Sequence, residues 1–238
     1  MPYKVFNEDE AATYLHVPRE VLDRLVKNQE IPCQVHAGRV VFTRYDIDAW
    51  ASQRILRLSG ENLDDYHRAA SLGKSEPETL LIMPNLIQAD WIAPDMASRT
   101  ANGVLRDMVL VAERSEKVCD ARQLLALLQE REQLCSTAVP GGLALLHPRH
   151  HTPFMFMDSF IAVGRAASGV PFGGPDGGLT DIFFLIGCGD DRAHLHILAR
   201  LCAMCQKTGM LAAIRGADGA RGIAAAILSA EGQLLKKG

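Results

Sequence analysis

The chain has 238 residues, of which 48% are hydrophobic, and a formal net charge of -3 at pH 7. That apolar share can fill the core of one large domain or two modest ones, which argues against disorder as the main state. The charge excludes a strongly basic nucleic-acid binder at the level of the whole chain, so any DNA contact must be local. Because there is no opening signal segment and no apolar run of membrane-spanning length, we expect a soluble, cytoplasmic protein without membrane insertion.

The N-terminal part of the sequence predicts a small helical unit with a β-hairpin. Asn7 suits the cap of a first helix, and Pro18 suits the first turn of a second one. Gly38 lies at the turn between two strand-like runs, which is typical of a hairpin. The predicted helices cover residues 8–15, 18–28 and 44–58, and the predicted strands cover residues 31–35 and 39–43.

Five short segments in this unit carry a family resemblance. They are NEDEAATYL at 7–15, VPR at 17–19, EIP at 30–32, GR at 38–39 and DIDAW at 46–50. Over about residues 3 to 53 the pattern resembles the excisionase-like, MerR-related winged helix-turn-helix family. The resemblance implies that the second helix enters the major groove of DNA and that the wing touches phosphate or the minor groove.

The second helix and the hairpin offer both cations and carboxylates to a DNA backbone. The residues predicted to contact DNA are Arg19, Arg24, Lys27 and Arg39. Glu20 and Asp23 lie on the same outward face and would meet a polyanion, so a protein-interaction module is the alternative interpretation. Since one small unit neutralises few phosphates, we expect useful binding to double-stranded DNA only from a homodimer.

Beyond this unit the composition changes and then an α/β pattern begins. Residues 59–79 are polar, mixed in charge and broken by glycine and proline, so we expect a linker with one or two helical turns. Helical and strand-like patterns alternate after it, which indicates an α/β layer fold. Predicted helices cover 99–115, 121–134, 191–208 and 218–228, and predicted strands cover 143–146, 160–165, 181–187 and 212–215. The predicted organisation is a helix-turn-helix domain at 1–58, a linker at 59–79 and an α/β domain at 80–238.

Three regions of the α/β domain carry a second resemblance. The first holds LQERE at 128–132, CST at 135–137 and GGLALLHPR at 141–149; the others are GPDGG at 174–178 and HLHILARL at 194–201. Their order and spacing resemble the fructose, mannitol and nitrogen-regulatory type of enzyme IIA of the bacterial sugar phosphotransferase system. The resemblance implies a mixed β-sheet flanked by helices, no cofactor, and a phosphoryl group received on a histidine from the phosphocarrier protein HPr or a nitrogen-branch relative.

The same resemblance implies the site residues. His147 would accept the phosphoryl group as a neutral imidazole, exposed at the end of a short strand. His194 lies near the start of a helix on its apolar stripe and would support His147, whereas His196 should face solvent; a core histidine is the alternative for His194. Arg131 and Thr137 match positions near the phosphate, with ordinary surface hydrogen bonding as their alternative.

Three functions stay open at the level of the sequence. The first is a regulator that couples phosphorylation to DNA or to a regulatory target protein. The second is a transport component that passes phosphate to the IIB domain of a sugar permease. The third is a pseudo-carrier that binds partners without being phosphorylated, because Leu146 stands where the family commonly has proline. A zinc site at His147, His150 and His151 is disfavoured because these consecutive histidines lack a spaced fourth ligand.

Overall fold

The computed structural model describes residues 5–71, 82–149, 154–189 and 191–236. Its helices are α1 Glu8–Leu15, α2 Arg19–Lys27, α3 Arg44–Arg57, α4 Gly60–Ser71, α5 Met83–Leu86, α6 Ala101–Glu113, α7 Ala121–Leu134, α8 Asp191–Lys207, α9 Met210–Gly216 and α10 Gly219–Lys236, with a 3-10 turn at Ala89–Trp91. Its strands are β1 Val5–Phe6, β2 Gln34–His36, β3 Arg39–Thr43, β4 Ile92–Met96, β5 Ala138–Val139, β6 Leu143–Leu146, β7 Phe160–Val170 and β8 Thr180–Gly187.

The N-terminal unit, residues 5–57, is a helix-turn-helix with a small sheet in the order β1-β3-β2. The predicted cap of α1 is confirmed, because the Asn7 side chain accepts from the Glu10 backbone N–H and the Glu10 carboxylate accepts from the Asn7 N–H, each at 2.9 Å. This reciprocal pair satisfies two N–H groups that a helix start leaves free. The hairpin turns at Ala37 and Gly38, both with positive φ, as a tight two-residue turn requires.

The larger sheet lies in the C-terminal domain, residues 82–236, and has five strands in the order β4-β7-β8-β6-β5. Strand β4 runs parallel to β7, and β6 runs parallel to β8. The pairs β7–β8 and β5–β6 are antiparallel. With helices on both faces, this mixed sheet confirms the predicted fold class.

Alternate residues of each strand face different helices. In β6, Leu143 and Leu145 belong to the cluster that also holds α8 and α10, whereas Ala144 and Leu146 belong to the cluster with α6 and α7. This alternation follows from the two-residue period of a strand. A side chain directly after Leu146 is therefore directed to the α8 side.

The segment predicted as a linker contributes a packed helix. Helix α4 has three turns where one or two were expected, and its Leu63 and Tyr66 are buried against α8. The Gln206 side chain on α8 also donates to the carbonyl oxygen of Leu58 at 2.9 Å. Residues 72–79 of the predicted linker lie outside the described residues. Leu63 and Tyr66 therefore anchor α4 on α8, together with the ion pair between Asp64 and Lys207.

Helix α8 is apolar because it is covered on more than one side. It shares one hydrophobic cluster with the sheet and α10, and both α3 and α4 pack against it. Among the described residues, no single helix is long and apolar enough to cross a membrane, although Ala193–Lys207 and Met210–Gly216 taken together pass that test and are bent by 80°.

One predicted strand is wrong and one observed strand is missing from the prediction, each for an identifiable reason. Residues 212–215 are expected as a strand from the sequence but lie in α9, where the buried residues are Met210 and Ile214, four positions apart as in a helix. The sequence pattern does not reveal strand β4 because it contains Pro94, which is tolerated on an edge strand, and β4 is at the edge of the sheet.

A buried ion pair ties together α8, α10 and the start of the C-terminal domain. Arg200 on α8 and Glu231 on α10 are both 0% exposed, with Nη1 and Oε1 3.0 Å apart. The two carboxylate oxygens of Glu231 also accept the backbone N–H groups of Ile82 and Met83, each at 3.0 Å. Because the carboxylate of Glu231 is both ion-paired and hydrogen-bonded, the free-energy cost of burying its charge is compensated.

Candidate active site

The two histidines predicted to handle the phosphoryl group lie side by side. His147 directly follows β6 and is directed to the α8 side, where it meets His194 near the start of α8. Their ring centroids are 4.9 Å apart and the rings are tilted by 53°. Residues far apart in the chain are thus brought together because a strand end and a helix start meet at one edge of the sheet.

His147 is held as a neutral imidazole with a defined tautomer. Its Nδ1 lies 2.8 Å from the carbonyl oxygen of Leu145, and since a carbonyl oxygen only accepts, Nδ1 carries the proton. Burial lowers the pKa of His147 well below its ordinary value, and the neighbouring His194 and the charge of Arg131 lower it further. The other nitrogen, Nε2, therefore presents a lone pair.

His147 Nε2 is buried and has no hydrogen-bond partner among the residues that the structure describes. A buried polar atom without a partner is uncommon in a folded protein and calls for an explanation. Nη2 of Arg131 is in the same situation within the described ranges. The site thus holds one unused acceptor and one unused donor.

His147 is not exposed, contrary to the expectation from the sequence: only 1% of its surface is accessible. Helix α3 of the N-terminal unit packs against α8 at this place, and two of its residues contact the site. Oγ of Ser52 lies 3.4 Å from Nε2 of His194, and Arg149, two residues after His147, stacks on the ring of Tyr45 with 4.7 Å from Cζ to the centroid. Sequence reasoning missed Ser52 and Tyr45 because no local pattern brings α3 to this place.

The prediction that His196 faces solvent is wrong. His196 is buried, its Nε2 is 3.4 Å from Nη2 of Arg200, and its ring meets the edge of His67 of α4 with centroids 6.4 Å apart. The prediction assumes that only one side of the helix, the side with the apolar stripe, is buried. Because α3 and α4 cover further sides of α8, both His194 and His196 lie inside.

Arg131 and Thr137 stand next to the strand that leads to His147. Arg131 is buried in α7, donates from Nη1 to the carbonyl oxygen of Cys135 at 2.8 Å, and its charge acts on His147. Thr137 donates its backbone N–H and its hydroxyl to the carboxylate of Glu132 at 3.0 Å and 2.7 Å. Its carbonyl oxygen accepts from Leu145 N, so Thr137 braces the strand end.

Glu132 is a further residue of this site, and the sequence alone assigns it no role. Burial raises the pKa of its carboxyl, and the hydrogen bonds from Thr137 act in the opposite direction. His150 and His151, considered above as zinc ligands with His147, lie outside the described residues. Within the described ranges, no group of three or more metal-ligating side chains comes together.

The four cations predicted to contact DNA differ in their surroundings. Arg24, Lys27 and Arg39 are exposed. Arg19 instead forms ion pairs with carboxylates of its own unit, which raise its pKa; they belong to Glu8, Asp9 and Asp23. The guanidinium of Arg19 is therefore already compensated.

Family models match both parts of the chain. The model described as phosphoenolpyruvate-dependent sugar phosphotransferase system, EIIA 2, matches residues 85–230, and one described as a helix-turn-helix domain matches residues 5–55. Among curated proteins, the chain is 26% identical over 121 residues to the PTS system fructose-specific EIIABC component of Bacillus subtilis (strain 168), a match that covers 50% of this chain and 19% of that protein. Both resemblances stated from the sequence are confirmed.

Solved structures share the fold of the C-terminal domain. The nitrogen regulatory protein IIA-Ntr from Neisseria meningitidis superposes with a TM-score of 0.54 at 22% identity, covering 60% of this chain and 97% of that one. IIA mannitol from Escherichia coli gives a TM-score of 0.52 at 13% identity, with 59% and 98% covered. A complex of that IIA protein with phosphorylated enzyme IIB gives 0.53 at 12% identity, with 60% and 96% covered.

Proposed function

We propose a function for this chain from the premise that it belongs to the EIIA 2 family of the phosphoenolpyruvate-dependent sugar phosphotransferase system. The C-terminal domain is a phosphohistidine carrier that receives a phosphoryl group from HPr or a nitrogen-branch relative in the cytoplasm. The division into residues 1–58, 59–79 and 80–238 is part of the same proposal. The observation that carries it is Nε2 of His147, which is buried beside His194 without a hydrogen-bond partner among the described residues.

The reaction at His147 is a direct transfer between two imidazoles. The lone pair on Nε2 attacks the phosphorus of the donor's phosphohistidine, and an N–P bond forms while the donor's P–N bond breaks. The donor nitrogen leaves with the electron pair of the broken bond. The proton of His147 stays on Nδ1, held by Leu145 O, so no base has to remove it.

The groups around His147 can stabilise the negative charge of a phosphoryl group. A phosphoryl group brings about two negative charges and three acceptor oxygens. Arg131 has an Nη2 donor that no described residue uses, and the ring of His194 lies beside that of His147. Thr137 acts by holding the strand end through Glu132 and Leu145.

The N-terminal unit favours regulation over transport. A helix-turn-helix domain at residues 5–55 gives the chain a means of contacting DNA, which a component that only hands phosphate to a permease does not need. We therefore propose a regulator in which phosphorylation of His147 controls DNA binding or the binding of a partner protein. The transport component that phosphorylates a IIB domain stays the rival function.

Labelling of the full chain tests the carrier function. Incubation with enzyme I, HPr and radiolabelled phosphoenolpyruvate is expected to give acid-labile, alkali-stable label on His147 Nε2. His147→Ala should abolish it, and His36→Ala, which removes an exposed histidine of the wing, should leave it unchanged. His194→Gln should slow labelling by about a hundredfold, the usual effect of losing one electrostatic donor.

Three results would contradict this proposal. Label that persists in His147→Ala, or that maps to another histidine by mass spectrometry, would place the acceptor elsewhere. Wild-type chain that takes up no label even after long incubation would favour the pseudo-carrier. Rapid onward transfer of label to a IIB domain of the same organism would favour the transport function over regulation.

A further inference from the structure

One face of α3 lies against the candidate active site. Tyr45, Asp48 and Ser52 recur at intervals of three and four residues, so they share one side of the helix. Tyr45 stacks under Arg149, and Ser52, only 2% exposed, contacts His194, which is 9% exposed. We call these three residues the docked face of α3.

This arrangement is incompatible with the transfer reaction. In-line attack requires the donor's phosphorus to come within about 3–3.5 Å of Nε2, with a second protein surface behind it. Nε2 of His147 is buried, and the contacts that reach the site from the N-terminal unit come from the docked face. A donor protein and α3 therefore compete for the same place.

The burial of the site makes the competition reciprocal. In the docked chain, His147 is 1% exposed, and Ser52, which is 2% exposed, contacts His194 beside it. A phosphoryl group on His147 would add volume and about two negative charges to this poorly solvated place, which is unfavourable. Docking thus hinders phosphorylation, and phosphorylation hinders docking.

We infer that the N-terminal unit is an intramolecular cover for His147, which must undock before the donor protein can phosphorylate it and cannot dock again until the phosphoryl group has left. This inference rests on the proposed carrier function. Docking uses α3 and leaves Arg24, Lys27 and Arg39 exposed on α2 and the hairpin. The unphosphorylated chain can therefore present its DNA-reading surface in one fixed position relative to the C-terminal domain, and phosphorylation releases that surface from it.

A substitution in the docked face of the full chain tests the cover. Ser52→Arg places a long charged side chain against His194, so α3 should undock; Gln53→Arg makes the same charge change at the next residue, which is half-buried and faces another direction. One readout is the rate at which diethyl pyrocarbonate modifies His147, followed by mass spectrometry. The other is the rate of labelling by phosphorylated HPr.

Ser52→Arg should raise both rates by about tenfold or more, since an undocked state that is a minor species in the wild type becomes the major one. Gln53→Arg should match the wild type. Unchanged modification of His147 in a folded Ser52→Arg chain would overturn the cover. Faster modification without labelling of either chain would support the cover and contradict the carrier function, so the two proposals fail separately.

A milder variant tests the same inference if Ser52→Arg does not fold. Tyr45→Ala removes the contact with Arg149 while Tyr45 itself is only half-buried. It should raise modification of His147 and speed amide hydrogen exchange in residues 44–57, because local opening becomes easier. Tyr45→Ala with wild-type modification and exchange would overturn the inference.

Discussion

The hydrogen bond between Nδ1 of His147 and the carbonyl oxygen of Leu145 decides which nitrogen of this histidine can react. It fixes the proton on Nδ1, while burial keeps the ring neutral by lowering its pKa. A nucleophilic histidine needs both features, because an imidazolium has no lone pair to give. The hydrogen bond and the burial therefore both leave the lone pair of Nε2 available for nucleophilic attack.

The lowered pKa predicts that His147 does not titrate where an ordinary histidine does. An imidazole of unperturbed pKa about 6.5 is half protonated at that pH, whereas His147 should still be neutral there. The measurement is the nitrogen chemical shift of the His147 ring in specifically labelled full chain, assigned with His147→Ala. A shift that follows the titration of free histidine in the same buffer would contradict the neutral, buried state.

The pairing of His147 with His194 could be anticipated from the sequence, but their burial could not. The family resemblance pairs the two histidines, and the helical stripe selects His194 over His196. Ser52, which contacts His194 at the site, lies 142 residues from it in the chain. A contact of that range depends on how α3 packs on α8, and neither periodicity nor a motif within one domain contains that information.

Helix α8 shows, at the scale of a whole element, that sequence periodicity does not reveal which other helices pack on it. Its spacing predicts one buried stripe, which is correct for a helix that lies on a sheet. The structure adds α3 and α4 on further sides, so His196 and Arg200 are buried as well. The sequence underestimates helix α4 because Leu63 and Tyr66 are separated by polar residues, and only the presence of α8 makes them anchors.

The ion pair between Arg200 and Glu231 should be the most sensitive point of this packing. Glu231→Gln leaves the Arg200 charge buried without its carboxylate, and removing one partner of a buried pair costs about 3–5 kcal/mol of unfolding free energy. Asp65→Asn, which breaks the exposed pair with Arg68, should change stability by less than about 1 kcal/mol. Urea unfolding of the full chain gives both values.

The comparison between these two variants also tests the burial of the pair. Equal, small losses of stability in Glu231→Gln and Asp65→Asn would mean that Arg200 reaches water. A larger loss in Glu231→Gln with an unchanged dependence on urea would confirm that α8, α10 and the backbone at Ile82 and Met83 unfold together.

For the whole molecule, the distribution of charge decides how it meets DNA. The net charge of -3 repels a polyanion, so binding must come from the few cations that are exposed and uncompensated. Among the described residues, Arg24, Lys27 and Arg39 are exposed on α2 and the hairpin and form no ion pair, whereas Arg19 is held by carboxylates of its own unit. The structure therefore separates four cations that are equivalent in the sequence.

This separation predicts different salt dependences for two arginine variants of the full chain. Arg39→Ala should weaken binding to duplex DNA and reduce the slope of log affinity against log salt by about 0.9 for each phosphate that is no longer neutralised. Arg19→Ala should leave that slope unchanged, because its guanidinium contacts carboxylates and releases no counterion from DNA. Titrations at several salt concentrations, with fragments from the gene's own chromosomal neighbourhood, measure both slopes.

An equal reduction of slope in the two variants would mean that Arg19 leaves its carboxylates to contact DNA. Absence of binding at low salt would mean that the N-terminal unit recognises a protein, with α3 as its contact to His194 and α2 as its outward face.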